Sequence, residues 1–566
     1  MKDKIIKILS EFSDGRDFSV TVPEQENFGH YSTNLAMVLA KREKKNPLEL
    51  ARELVQKISA AAPAGFFQKV EAAAPGFINF WFSPEALQNE LAMVTKNIKK
   101  YGERSIGKSK TVIVEYSQPN IAKMMHVGHL RTTIIGAALA NVFESLGYKV
   151  IRWNYLGDWG TQFGKLIAAY KMWGDKKKIE EKPIEELQKL YVRFHDEMKS
   201  RPGLELEGQE EFKKLEEGDK ENRKLWQWFK KESLKEFERT YKELGVEFDE
   251  WKGESFFEKD MKPLVSRLVQ DGVAVKSEGA IVIKLDKFNL PPALIEKADG
   301  ASLYLTRDIA NIEYRVKKYK PEKILYVVGN EQSLHFEQLF AITNILGLAD
   351  GVELKHVKYG LVLGESGQKL ATREGRTILL KEVLGKAIKL AREIVEEKNK
   401  ELSAKEKDKI AEAVAVGALK YNDLREGRTT DIVFDWKRML DFSGDSGPYL
   451  QYTYARLKSI LRKSQALKPK SKNFTLLNSD VELALARKIF EFPDEVARSG
   501  ETLQTSNLAN YLYKLAVLAN RLYETTPVLK EESASRRSAL LGLINITAKI
   551  IEKGLNLLGI TAIDRI

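Results

Sequence analysis

The sequence predicts an α/β fold in three parts. A parallel sheet interrupted by a helical insertion follows a small α/β unit and precedes an all-α helix bundle. Three observations carry this. The β-branched run "TVIVEYS" (111–117), the amphipathic "HLRTTIIGAALANVFESLGY" and a second strand-like run, "KVIRWNYLG", follow one another within about 45 residues, which is the pattern of a βαβ unit. Residues from about 165 to 260 are charged and helix-forming, as in "EEFKKLEEGDKENRKLWQWFKKESLKEFERTYKELG". From about 445 onward the apolar spacing is almost wholly helical.

Taken in order, residues 1–105 combine helical periodicity in "STNLAMVLAKREKKNPLELARELVQKI" with an alternating strand, "GFINFWFS" at 76–83, and a further helix, "PEALQNELAMVTKNI". The polar stretch "GERSIGKSK" (102–110) reads as a linker. Residues 108–385 then form the Rossmann-type parallel-sheet domain. Its later strands are "GAIVIKL", "KILYVVGN" and "VKYGLVLG", and it holds the insertion at about 165–260. Residues 386–444 read as a connecting helical region and 445–566 as the bundle, where "NLANYLYKLAVLANRLYE" and "SALLGLINITAKIIEKGLNLLG" are clear helices.

Length and composition set bounds. A chain of 566 residues exceeds a single core, so roughly two to four domains are expected. The chain is 43% hydrophobic and 30% charged, as expected of a globular protein with a charged surface. A net charge of +12 suits polyanionic partners, and surface lysines alone would also produce it. There is no cysteine, which excludes disulfides and thiolate metal sites. The six histidines, His30, His126, His129, His195, His335 and His356, form no ligand cluster, so no protein-held zinc is expected. No run of about 18 apolar residues offers a membrane span. The start, "MKDKIIKILSEF", lacks the continuous apolar stretch of a signal peptide, and a cytoplasmic location is the expectation.

The chemistry concentrates in "SQPNIAKMMHVGHLRTTIIG" (117–136). His126 and His129 fall just after the first parallel strand, where the next helix opens. Ligands of open parallel sheets bind beyond the carboxyl ends of the strands, and helix N-termini attract anions. Imidazoles placed there can donate to phosphate oxygens, and Gly128 leaves room for a flat ring against the backbone. The spacing points to a nucleotide attacked at its α-phosphate. Two histidines that merely cap a helix are the alternative.

"HVGH" resembles the HIGH signature of class I aminoacyl-tRNA synthetases. The runs "PNIAKMMHVGHLRTTIIG", "NYLGDWGTQFG" (154–164), "SLYLTRD" (302–308), "YVVGNEQSLHF" (326–336) and "SGPYLQYTYAR" (446–456) resemble arginyl-tRNA synthetases in particular, in order and across essentially the whole chain. The resemblance implies that arginine attacks the ATP α-phosphate, and that arginine then passes from arginyl-adenylate to the terminal adenosine of tRNA(Arg). His126 and His129 would stabilise the pentavalent phosphorus. ATP would arrive with Mg2+, held mainly by phosphates and water. The second class I signature, usually KMSK, corresponds to "GESGQKLATREG" (364–375). Lys369 matches its first lysine, which without the resemblance would pass for an exposed loop residue. Ala371 and Thr372 depart from its serine and final lysine. Lys123, or else Arg373, is the candidate for the missing charge.

A guanidinium prefers a bidentate carboxylate. Tyr304 and Asp308 lie four apart on a predicted helix, so they share a face. The resemblance places arginine-binding Tyr and Asp at these positions, with Gln332 beside them and with Glu115 and Asn120 on the α-amino and carboxylate groups. A surface ion pair is the alternative for Asp308. His335 and Phe336 would border the adenosine, and Phe336 could equally be core. The N-terminal unit resembles the family's tRNA-elbow domain, where Phe77 and Asn79 would meet a D-loop base unless they only pack the strand. Tyr449, Tyr452 and Arg456 share a helical face suited to stacking on anticodon bases, or to ordinary core. Activation is expected to need bound tRNA, and a monomer is the expected working unit. Two rivals are a class I synthetase for glutamate, glutamine or cysteine, and a catalytically silent tRNA-binding relative. The acidic Asp308 and the missing thiols oppose the first, and the intact HVGH opposes the second.

Overall fold

The computed structural model describes residues 1–298, 303–364, 378–464 and 473–566. The N-terminal unit contains α1 (Lys2–Ser10), β1 (Val20–Thr21), β2 (Tyr31–Thr33), α2 (Leu35–Glu43), α3 (Pro47–Ala61), β3 (Phe67–Ala73) and β4 (Phe77–Phe82). Its strands form an antiparallel sheet in the order β1-β2-β4-β3. β4 is the alternating run foreseen at 76–83, with Ile78, Phe80 and Phe82 in the core. β3 was not foreseen as a strand, because Gln68, Lys69 and Glu71 face solvent and leave its apolar alternation weak. Helix α4 (Pro84–Lys96), capped by the Ser83 hydroxyl, leads to the linker.

Next come β5 (Thr111–Glu115), α5 (Val127–Ser145) and β6 (Lys149–Trp153), which make the expected βαβ unit. Helices α6 (Thr161–Trp173), α7 (Lys176–Glu181), α8 (Pro183–Ser200), α9 (Leu204–Glu217) and α10 (Lys220–Leu244) make the charged helical stretch. After α11 (Glu258–Gln270) come β7 (Ala274–Ser277), β8 (Ala280–Ile283) and β9 (Ala293–Glu296), then α12 (Tyr304–Tyr319), β10 (Lys323–Gly329), α13 (Ser333–Ile345), β11 (Glu353–Tyr359) and β12 (Val362–Leu363). The main sheet is parallel throughout, in the order β11-β10-β5-β6. β8, read from sequence as one of the alternating strands, lies instead in a separate antiparallel β7-β8-β9 sheet.

The remainder is helical: α14 (Leu380–Lys398), α15 (Ala404–Leu424), α16 (Trp436–Met439), α17 (Gly447–Ser464), α18 (Asp480–Thr502), α19 (Ser506–Thr525) and α20 (Ala534–Leu557). The short β13 (Ile432–Val433) pairs with β12. One apolar cluster runs unbroken from Ile5 in α1 through Val114 in β5 and Phe229 in α10 to Ile560. A second cluster covers the opposite face of the parallel sheet, with Ile113, Trp153, Ile324 and Phe336. The middle of β5 is buried on both faces, which explains its continuous apolar reading.

Helix α5 is buried around most of its circumference. Gly136 lets it approach β5: a Cβ there would stand 2.3 Å from the Tyr116 side chain. Arg131, 1% exposed, forms an ion pair with Asp423 of α15 at 3.3 Å. It also donates to the carbonyls of Leu361 (3.0 Å), Arg428 (3.1 Å) and Thr430 (2.8 Å). Each nitrogen of this buried guanidinium thus meets at least one acceptor, and burial pushes the Asp423 carboxyl up to about 6 in spite of Arg131. Arg131→Met removes the cation and leaves Asp423 buried without it. The expected loss is about 3–5 kcal/mol, read as a lower midpoint of urea unfolding. An unchanged midpoint would show that the ion pair contributes nothing.

Candidate active site

From β5 the chain crosses to β6 on one side, and from β10 to β11 on the other. The crevice at the carboxyl ends of β5 and β10 is therefore the switch point of the sheet. Glu115 and Tyr326 are register partners across it.

The β5–α5 loop forms one wall. His126 is the N-cap of α5, and its Nδ1 accepts from the Gly128 N–H at 3.1 Å. The backbone N–H of His126 donates to Nδ1 of His129, also at 3.1 Å. The rings lie 4.0 Å apart between centroids. An imidazole whose Nδ1 accepts carries its proton on Nε2. Each ring therefore caps the helix through Nδ1 and carries its proton on Nε2. The two readings left open by the sequence, capping and anion binding, use different atoms of the same rings. Burial, with His126 beside it, pulls the His129 pKa down to about 3, so the ring is neutral at physiological pH. Gly128 is required by contact: a Cβ would stand 2.9 Å from His126 Cε1. The chain returns to this helix mouth after residue 377, where Val127 N–H donates to Ile378 O (3.1 Å) and Leu380 N–H to Met125 O (2.9 Å). Lys369, Ala371, Thr372 and Arg373 lie outside the described residues. Lys123 is exposed, with its ammonium 5.5 Å from the Tyr191 ring centroid.

Acidic and aromatic groups form the other wall. Asp308 on α12 meets His335 of α13, Nε2 to Oδ2 at 2.6 Å. Burial opposes the charged His335 ring, but the hydrogen bond and charge of Asp308 outweigh it and hold its pKa above the ordinary value. Tyr304 is 59% exposed at the start of α12, and Gln332 is exposed in the 3-10 turn after β10. Asn120 is exposed, and its amide oxygen packs so close to Gly157 that a Cβ there would clash at 2.0 Å.

The protein itself already engages several of the expected site residues. Glu115 is buried and already engaged by Arg315 and by Gln118 Nε2 (2.6 Å), so its carboxylate is held by the protein and not presented openly. His335 faces Asp308, and Phe336 is core, packed on Tyr326, Phe340 and His356. Asn79 is 3% exposed and accepts from the Ser32 hydroxyl at 2.7 Å, whereas Phe77 is 37% exposed, so the pair does not form one open edge. On α17, Tyr449 receives a hydrogen bond from Asn520 (2.9 Å). Arg456 donates to Asn520 (2.7 Å) and lies over the Tyr452 and Tyr523 rings at 4.8 and 4.7 Å.

Several residues of the crevice escaped the sequence reading. Arg315, seven positions after Asp308 on the same helix, could have been found by its i, i+7 spacing. Its guanidinium lies 4.2 Å over the buried Trp153 ring. The half-buried Tyr155 has its hydroxyl enclosed in the field of Asp308, Glu254 and Glu115, and burial first, then those charges, push that hydroxyl well above the ordinary value. Glu254, in the 3-10 turn Glu254–Phe257, is pushed up to about 8 by burial, with Arg307 opposing and Asp158 and Asp308 reinforcing the shift. No local pattern marks Tyr155 or Glu254, since each reaches the crevice from a connecting turn.

Comparison with known proteins follows the same outline. A family described as tRNA synthetases class I (R), catalytic domain, matches residues 90–436. The arginyl tRNA synthetase N terminal domain matches residues 1–82, and the DALR anticodon binding domain matches 450–566. The arginine–tRNA ligase of Clostridium perfringens is 43% identical over 96% of this chain and 94% of its own. That of Halothermothrix orenii is 40% identical over 99% and 98%. The Thermus thermophilus arginyl-tRNA synthetase structure superposes with a TM-score of 0.84 at 25% identity, covering 100% of this chain and 99% of that one. The Plasmodium falciparum arginyl-tRNA synthetase superposes at 0.81 and 26%, covering 100% and 98%. With a parallel-sheet core, a paired-histidine helix mouth and full-length similarity of this degree, the chain belongs to the class I arginyl-tRNA synthetase family.

Proposed function

We propose that the chain joins L-arginine to tRNA(Arg) in two steps at the β5–β10 crevice. A carboxylate oxygen of arginine attacks the α-phosphorus of ATP, pyrophosphate leaves, and arginyl-adenylate forms. The 2′-hydroxyl of the terminal adenosine then attacks the arginyl carbonyl and AMP leaves. The observation that carries this reading is the pair of Nε2–H donors at the mouth of α5, on the same sheet edge as the Asp308 carboxylate. Neutral donors fixed in place stabilise charge that develops on the α-phosphate without having to reorganise. Lys123 and Lys369 are proposed to meet the leaving pyrophosphate. Magnesium would arrive with the nucleotide, bound by phosphate oxygens and water. Among the described residues no group of three or more His, Asp or Glu is placed to hold an ion.

Arginine is proposed to lie with its guanidinium on Asp308, beside Tyr304 and Gln332, with Asn120 near its α-amino end. Glu115, its charge compensated by Arg315, borders the pocket and holds Gln118 in place. The tRNA is proposed to span from Phe77 to the Tyr452–Arg456–Tyr523 stack, whose faces suit unpaired bases. Among the described residues no helix is long and apolar enough to cross a membrane. The cytosol as compartment and a monomer as working unit complete the proposal.

Arginine-dependent charging of purified tRNA, assayed against all twenty amino acids, tests the reading. His129→Ala removes one fixed donor, and its charging rate should fall by about 10²–10³-fold. Charging at the wild-type rate, or charging of a different amino acid, would refute the assignment. A second expectation concerns pH. Below its raised pKa, His335 is protonated and occupies Asp308, so the KM for arginine should fall as pH rises through that value. His335→Gln should flatten the dependence. A wild-type KM that stays flat as pH rises above the ordinary histidine range would count against it. Since tRNA is a polyanion, its KM should also rise steeply with salt.

A further inference from the structure

The loop between β5 and α5 is bent in a costly way. Ser117, Gln118 and Ala122, none of them glycine, have φ of 76°, 52° and 61°. L-residues adopt this left-handed conformation only where surrounding groups hold them in it. Here the helical insertion supplies many of those groups. The Tyr241 hydroxyl of α10 lies 2.6 Å from Ser117 Oγ and accepts from Asn154 Nδ2 at 3.1 Å, while Asn154 Oδ1 takes the Gln118 N–H at 3.2 Å. Further along, alternate amides are taken up in turn. Ala122 N–H donates to Ser233 Oγ of α10 (3.0 Å), Met124 N–H to Gln188 Oε1 of α8 (3.1 Å), and His126 N–H to His129 (3.1 Å).

We infer that Gln188 and Ser233 are positioning residues for ATP. By taking the Met124 and Ala122 amides they continue, from the helical insertion, the same row of bonds that seats His126 and His129. The insertion thereby sets the shape of the nucleotide-binding loop. Ser233 is fully buried, whereas Gln188 is half-buried on a helix surface and its bond to Met124 is not needed to fill a core. The inference rests on ATP binding at the paired histidines.

Gln188→Met keeps the length of the side chain and removes the acceptor, whereas Gln188→Glu keeps an acceptor. In steady-state charging, Gln188→Met should raise the KM for ATP about tenfold, the order expected for losing one loop-fixing hydrogen bond. The KM for arginine and the thermal midpoint should stay at wild-type values. Gln188→Glu should restore the KM for ATP, and Ser233→Ala should act in the direction of Gln188→Met. Hydrogen exchange without ATP supplies an independent readout: the Met124 amide should exchange faster in Gln188→Met and at the wild-type rate in Gln188→Glu. Equal effects of the two Gln188 variants, or a KM for ATP unmoved in Gln188→Met while His129→Ala is impaired, would overturn the inference. If His129→Ala charges normally, the nucleotide reading itself fails and takes this one with it.

Discussion

Two backbone amides donating into two imidazole Nδ1 atoms are the contact on which the site depends. They close the first turn of α5, where helices otherwise leave amides without partners. They also decide which nitrogen of each ring carries the proton. Local folding and chemical capability are thus fixed by the same bonds. Gly128 is dictated by this arrangement, since any side chain would strike the His126 ring. The 378–380 segment is bonded to the same turn, which places the chain that follows residue 377 beside the paired histidines.

Around that turn the protein offsets charge with charge. Glu115 is compensated by Arg315, Asp423 by Arg131, and Asp158 by Lys230, each with at least one partner buried. Removing an ion from water costs several kcal/mol, so such pairs persist only where further hydrogen bonds complete them. Arg131 has that completion from three carbonyls. Asp308 differs, because its partner His335 can give up its charge by losing a proton. Among the acidic groups described at the crevice, it is the one paired to a side chain that can lose its charge.

Much of this was legible in the sequence wherever the signal was local. The βαβ unit announced itself because β5 is buried on both faces and so reads as an unbroken apolar run. His126, Gly128 and His129 were legible because four consecutive residues carry the whole device. Legibility failed where residues meet across long separations. Glu115 gave no sign that Arg315, two hundred positions later, would engage it. Asn79 looked like a surface residue because strand alternation cannot foresee Ser32 covering it from β2. Phe336, adjacent to His335, turned to the core because a helix sends neighbouring side chains about 100° apart. β8 was assigned to the wrong sheet because a four-residue apolar run says nothing about its pairing partner.

The continuity of the main apolar cluster has a consequence for the molecule as a material. Its members come from the N-terminal unit, from one face of the parallel sheet, from the insertion and from the C-terminal helices, joined in one contiguous cluster. Excising any one part would bare an oily seam as wide as the interface it had shared. Heat should therefore be absorbed in one narrow cooperative peak and not in separate steps, and fragments cut at the apparent boundaries would be sticky, not self-sufficient.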